Sequence, residues 1–302
     1  MAIEQGGFSQ GIGRWVGTAE IFSGEGRFLG NGADTRHVQQ LGDGQVRIDV
    51  AFVGPFKHAG HYIIEDHQDH RLYQGPANVG YAEALGSGLV DANAYWPALG
   101  LSQRLLLMVL PDGNTQLSLA LLSRGEHLLY VVVGQNDRVA DGAAPPPSLV
   151  SGTAYDLAHD PSAGRGVLLL HRTGLWEGEL TMLDGERNPI GVAAYRERVV
   201  ATPGGLTLDI AGGGFAPEPH QLQLVSNGYQ AWTPPDQPVA GSYSLSGGRA
   251  SSGCFYHLVR QVRVWRREVA AHTGDQKAVL HIWYRGGARV GVQYGVLRFG
   301  GD

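Results

Sequence analysis

One cysteine, Cys254, stands in a chain of 302 residues. No disulfide can form within the chain, which suits a reducing compartment. Charge is also sparse. Only 17% of residues are charged, the net charge is −5, and acids and bases are scattered. Neither the basic stripe of a nucleic-acid groove nor a polybasic membrane patch is present, so nucleic acid and membrane are not expected as partners. No apolar run approaches the roughly 18 residues of a membrane-spanning helix. The opening residues, Met1 to Gln10, lack the basic and apolar regions of a signal peptide, and a cytoplasmic location is expected. Several motifs are missing: a Gly-x-Ser-x-Gly elbow, a Walker A loop, a Cys-x-x-Cys pair and a dinucleotide fingerprint following a strand. Gly11-Ile12-Gly13 leads into a strand pattern, so it offers no helix N-terminus to a pyrophosphate. No cofactor is expected.

Glycine and short apolar alternations are abundant. There are 46 glycines and 43% hydrophobic residues, and the glycines punctuate short apolar runs as turn-rich β structure requires. The chain also repeats itself. Gly13-Arg14-Trp15-Val16-Gly17 returns as Gly174-Leu175-Trp176-Glu177-Gly178, 161 residues later (176 − 15). Gly24-Glu25 and Gly185-Glu186 keep that offset, as do Arg124-Gly125 and Arg285-Gly286. Alternation supports the alignment. Trp15, Ala19 and Ile21 alternate with polar neighbours, as do Trp176, Leu180 and Met182; Val46, Ile48, Val50 and Phe52 alternate likewise, as do Leu206, Leu208 and Ile210. A period of two marks strands with one buried face. Asn227-Gly228 reads as a type I′ hairpin turn, and Ala154 to His159 is a short helix candidate. The reading is all-β: residues 1–138 and 167–302 form two tandem antiparallel barrels related by duplication. Residues 139–166, with Pro145-Pro146-Pro147, form a linker.

The Gly-x-Trp-x-Gly opening of both halves resembles that of lipocalin and calycin barrels, the nitrobindin-like ones included. That resemblance implies a lipocalin-like barrel in each half, with Trp15 and Trp176 each plugging one end. It also implies a late-strand arginine packed on that tryptophan, here Arg124 and Arg285. Two-barrel proteins of this architecture include cyclases, hydratases and isomerases acting on hydrophobic natural products.

His58, His61, His67 and His70 lie close together in sequence, yet a zinc site needs three or four ligands on one point. His58 and His61 face opposite sides of a strand, so a solvated loop is the expected reading and no metal is assigned. Parity selects pocket residues. His61 is expected inward with Ile63, and His220 with Leu222 and Leu224; Tyr73 and Tyr229 follow them. Late-strand inward positions are expected at Leu117, Leu119, Leu121, Leu129, Val131 and Val133. Their counterparts are Ala278, Leu280, Ile282, Val290, Val292 and Tyr294. The opposite face, with Leu122, Leu128, Tyr130, Val132, His281 and Trp283, is expected outside, as a contact between barrels or a homodimer interface. The basic stretch from Cys254 to Arg267 reads as one strand, with Tyr256, Leu258, Arg260, Val262 and Val264 on one face. An inward Arg260 there could bind a carboxylate or enolate.

These positions define the expected site in the second barrel: His220, Tyr229 and Tyr294 as proton-moving groups. The pocket residues are His61, Tyr73, Trp15, Trp176, Arg260, Tyr256 and Ile282. The expected function is a cofactor-independent isomerase, cyclase or lyase acting on a hydrophobic or aromatic small molecule. The alternatives are a carrier for an apolar molecule or haem, and a pair in which one barrel is only a scaffold.

Overall fold

The computed structural model describes residues 10–42, 44–67, 70–86, 88–140, 172–215, 220–226 and 230–301. The Asn227-Gly228 turn, Tyr229, the Ala154–His159 helix candidate and the linker beyond residue 140 lie outside them. The chain divides into two compact units after residue 153.

Ten strands close the first barrel: β1 (Gly13–Ser23), β2 (Phe28–Gly42), β3 (Gln45–Val53), β4 (Lys57–Asp66), β5 (His70–Gln74), β6 (Val79–Gly86), β7 (Leu89–Trp96), β8 (Leu101–Val109), β9 (Thr115–Arg124) and β10 (His127–Val139). Ten close the second: β11 (Gly174–Asp184), β12 (Pro189–Thr202), β13 (Gly205–Gly212), β14 (His220–Ser226), β15 (Gln230–Trp232), β16 (Val239–Ser246), β17 (Ala250–His257), β18 (Val262–Ala270), β19 (Gln276–Arg285) and β20 (Ala288–Gly301). Each strand pairs antiparallel with the next, and the last returns to the first. Closure leaves no open sheet edge. The repeat is kept strand by strand: β7 and β17 start at 89 and 250 (250 − 89 = 161), and β8 and β18 start at 101 and 262.

The glycines of the repeated motif have a steric cause. Gly13 and Gly174 sit at φ of 125° and 131°, a region L side chains rarely adopt. A Cβ on Gly17 would fall 1.9 Å from the Gln135 carbonyl oxygen, and one on Gly178 would fall 2.5 Å from that of Val296. The first strand of each barrel can therefore lie close against the last.

Between those glycines, Trp15 and Trp176 are fully buried. The residue over each is not the arginine expected from the resemblance. Arg124 and Arg285 are exposed at the far end of their barrels. Arg138 lies over the Trp15 ring at 4.3 Å and binds the Gly113, Ile12 and Gln10 carbonyls. Its partner in the repeat, Phe299, meets Trp176 edge-on at 5.3 Å.

Register fixes which side chains face inward, and it corrects the late strands. Trp15, Ala19 and Ile21 lie opposite Arg138, Gly134 and Val132. Val132 and Gly134 in turn lie opposite Ala120 and Ser118. Tyr130, Val132 and Leu122 thus point into the first barrel, while Leu117, Leu119, Val131 and Val133 point outward. In the second barrel His281 and Trp283 face inward, whereas Ala278, Leu280, Ile282, Val292 and Tyr294 share the outer face. Most of these outward residues are buried too, Leu117, Val133, Leu280 and Val292 completely. With both faces apolar, the alternation carries no sign of which is inside. The earlier strands match their pattern: Val46, Ile48, Val50 and Phe52 face inward, as do Leu206, Leu208 and Ile210.

The basic stretch is two strands. Residues 258–261 form the turn between β17 and β18. The Gln261 N–H bonds the His257 carbonyl, with Gln261 itself at φ 54°. The turn places His257 inside with Val262 and Val264, puts Tyr256 on the outer face, and leaves Arg260 exposed.

Candidate functional site

The second barrel, where the sequence places the site, is filled. Trp176, Tyr195, Glu197, Phe255, Arg266, Glu268, Lys277, His281 and Trp283 all point inward and all are buried. Four charges meet there. Lys277 Nζ lies 2.7 Å from Glu197 and 3.0 Å from Glu268, and Arg266 reaches each carboxylate at 2.5 Å. Burial by itself pushes both carboxyls up. Lys277 and Arg266 outweigh it and hold Glu197 below, and Glu268 well below, the ordinary range. Two acids and two bases cancel, so the interior carries paired charges without a net one. Tyr195 donates to Glu197 at 3.4 Å, and the Trp283 indole donates to Gln293 at 2.6 Å.

Beside this network His220 and His257 meet edge to face at 5.0 Å. They border a space with Tyr195, Phe255, His281 and Trp283 in which about 20 Å³ is open to a water's centre. One water needs about 10–15 Å³ on that measure, so the space holds a water and not a metabolite. The remaining expected residues do not join His220. Tyr294 sits on the outer face opposite Thr181, and Ile282 is buried on that face. Tyr256 and Arg260 are exposed, and Trp176 lies at the plugged end beneath Lys277.

Burial also sets a pH dependence here. Burial first, then Arg260 and Arg266, lower the His257 pKa; burial lowers that of His281 against the pull of Glu268. Burial and Arg249 push His272 down to about 3. Their folded-state values lie below the unfolded value of about 6.5, so below that pH the unfolded chain binds more protons. Stability is complete above about pH 6.5 and is lost as pH falls towards about 3. Urea midpoints measured from pH 7.5 to 4 should fall with acidity, and His272→Asn should flatten the slope.

The first barrel is filled less tightly towards one end. Its inward residues Ile48, Val50, His58, Tyr62, Ala94, Trp96, Leu101, Gln103, Leu105, Leu122 and Val132 are only half-buried, and Tyr130 is exposed. Most cluster towards the end away from Trp15, where the β7–β8 and β9–β10 turns lie. At the Trp15 end, by contrast, Val38, Val46, Ile64 and Val109 form a compact cluster. The repeat explains the difference. Positions 161 apart pair Ala94 with Phe255, Leu105 with Arg266, Ala120 with His281, and Leu122 with Trp283. All face inward, and in each pair the second barrel carries the larger side chain.

Two polar features lie among these inward residues. Arg36 pairs with Asp34 at 2.5 Å and reaches Ser118 at 3.4 Å. On β4, His58 Nε2 and the Tyr62 hydroxyl lie 2.5 Å apart. Residues four apart on a strand have Cα atoms about 13 Å apart, so the two side chains lean towards each other along the wall. Gly60 lies between them and points the same way. A Cβ there would be 3.6 Å from the hydroxyl and 3.8 Å from the imidazole, so the glycine leaves their meeting place clear. Trp96 meets His58 edge-on at 6.2 Å. Burial lowers the His58 pKa and raises that of Tyr62, which keeps both groups neutral at pH 7. Deeper in, Tyr73 faces inward opposite Ile64, its hydroxyl pushed up to about 12 by burial. His61 lies on the outer face opposite Asp49, with the Ile63 row beside it. His67 and His70 stack at 5.0 Å, and His67 is exposed. The four histidines therefore do not converge. Parity alone could have found His58 and Tyr62, had Val46, Ile48 and Val50 been used to set the phase of β4.

No family profile matches the chain, and no curated protein matches it. Among solved structures, a protein of unknown function from the DUF3598 family of Nostoc punctiforme PCC 73102 aligns over 97% of each chain at 15% identity, with a TM-score of 0.56. The two share the fold. An S-type phycobiliprotein lyase of Guillardia theta covers 44% of this chain and 91% of its own at 9% identity, TM-score 0.35.

Proposed function

We propose that the first barrel binds a small, largely apolar molecule in its interior and that the second barrel is its filled, structural counterpart. One observation carries this reading. Ala94, Leu105, Leu122 and Val132 of the first barrel keep contact with solvent, while Phe255, Arg266, Trp283 and Gln293 at the same repeat positions of the second are buried. An apolar hollow with a few placed polar groups is the usual form of a small-molecule site. Ile48, Val50, Leu101, Leu105, Leu122 and Val132 supply the apolar wall; His58, Tyr62, Arg36 and Gln103 supply the polar points.

A second reading is cofactor-independent proton transfer on a hydrophobic or aromatic molecule, as an isomerase or lyase would perform it. The neutral His58–Tyr62 pair favours it, since imidazole and phenol at hydrogen-bond distance can pass a proton between them.

Nile red, whose emission rises in apolar surroundings, tests the binding. The full chain should bind it saturably. Ala94→Phe, which installs the side chain the second barrel carries at Phe255, should weaken that binding at least tenfold while leaving the thermal transition in place. Unchanged binding in this variant would mean that the dye sits elsewhere and the first barrel's interior is not the site.

A further inference from the structure

Resting on that reading of the first barrel, we infer that the His58–Tyr62 pair selects a ring molecule carrying a hydroxyl donor, a phenol or enol, over the same molecule with its oxygen alkylated.

The chemistry of the pair leads there. With His58 neutral, its ring holds one proton. Phenol is the more acidic partner, so the Tyr62 O–H donates to Nε2, and the imidazole proton sits on Nδ1. The contact between Nε2 and the hydroxyl is 2.5 Å. Tyr62 has then spent its single donor, and its oxygen offers only lone pairs. The side chains nearest in the register are apolar: Phe52 opposite His58, Val50 opposite Gly60, and Ile48 opposite Tyr62. The Trp96 ring closes the His58 side. A ligand hydroxyl entering this wall finds an acceptor already polarised by the imidazole. An ether or ketone oxygen brings lone pairs against lone pairs and leaves both without a donor.

The surroundings also bear on the ligand's shape. Arg36, Val50 and Gly60 lie side by side on β2, β3 and β4, and strands are about 4.8 Å apart. The Arg36 guanidinium turns to Asp34 on its own strand and to Ser118 on β9, away from β4, so the strip of wall beside the His58–Tyr62 pair is apolar. A flat aromatic ring suits such a strip. Arg36 is already neutralised by Asp34, so the strip asks for no second charge. At Gly60 an added Cβ would only touch the hydroxyl and the imidazole, at 3.6 and 3.8 Å, so the glycine keeps the wall beside the pair low.

The test uses 2-naphthol and its methyl ether with the full-length protein, by calorimetric or fluorescence titration. The wild type should bind the naphthol about tenfold tighter than the ether, the scale of one hydrogen bond made against an acceptor left empty. Tyr62→Phe should bring the two affinities within about twofold of each other, chiefly by weakening the naphthol. Its affinity for the ether serves as the control that the barrel is still folded. Tyr81→Phe, on the exposed outer face, should keep the full preference. Equal binding of both compounds by the wild type, or a preference that survives in Tyr62→Phe, overturns the inference and leaves the binding reading intact. Failure of both compounds to bind overturns the two together.

Discussion

Lys277→Met should lower the unfolding free energy of the second barrel by about 3–5 kcal/mol, the usual effect of removing one partner from a buried ion pair. Lys277 and Glu197 are completely buried, and Glu268 and Arg266 nearly so. Without the ammonium, two buried carboxylates share one guanidinium. Methionine matches the lysine stem in length, so packing over the Trp176 ring changes little and the loss reports the charge. Replacing all four members together should cost much less. Glu197→Met, Arg266→Leu, Glu268→Leu and Lys277→Met remove the desolvation penalty along with the attraction, and such exchanges are often neutral. Urea unfolding checks both, read as two transitions because each barrel is its own unit. A single variant as stable as the wild type, or a quadruple variant less stable than the single one, would show that the network does not act as a closed electrostatic unit.

The two-barrel architecture was legible because it rests on local signals repeated at a constant offset. The Gly-x-Trp-x-Gly motif is readable for the same reason, as each glycine answers a steric demand within its own strand pair. Parity in the late strands was not legible. Leu119 and Ala120, or Leu280 and His281, are adjacent residues that are both buried, and a period of two informs only when one face meets water. The turn at residues 258–261 contains no glycine, proline or asparagine. It depends instead on Gln261 in a conformation few such residues adopt. The charge network joins residues 69 and 80 positions apart, which only barrel closure brings together. The His58–Tyr62 pair was within reach of parity, since Val46, Ile48 and Val50 set the phase of β4, but its contact across four residues of one strand was not.

Inverted parity has one consequence for function. With the late strands inside out, the first barrel reads as lined by aliphatic residues alone, and the richer cavity falls to its duplicate. Correct phase reverses the comparison. The small residues Ala94 and Ala120 fall inside the first barrel, and the large ones, Phe255, His281 and Trp283, fall inside the second. His220 faces its barrel interior as expected, but His257 and Trp283 occupy the room a ligand would need.

Reciprocal exchange at one repeat position should therefore give opposite results. Leu122 and Trp283 are equivalent, both inward, one half-buried and the other buried and bonded to Gln293. Leu122→Trp adds a ring where solvent now sits. It should leave stability within about 1 kcal/mol, since surface-like positions tolerate change, and reduce Nile red affinity at least tenfold. Trp283→Leu removes a packed indole and strands the Gln293 side-chain oxygen. Both the cavity and the lost hydrogen bond destabilise, together by about 3–5 kcal/mol, while dye binding in the first barrel stays as it was. Calorimetric melting and dye titration on the same two proteins separate the effects. If Leu122→Trp melts earlier and binds dye normally, or Trp283→Leu loses the dye, then the division into a binding barrel and a filled one is wrong. The expected crossing, affinity lost without stability in one variant and stability lost without affinity in the other, follows from a single difference in side-chain volume between duplicated positions.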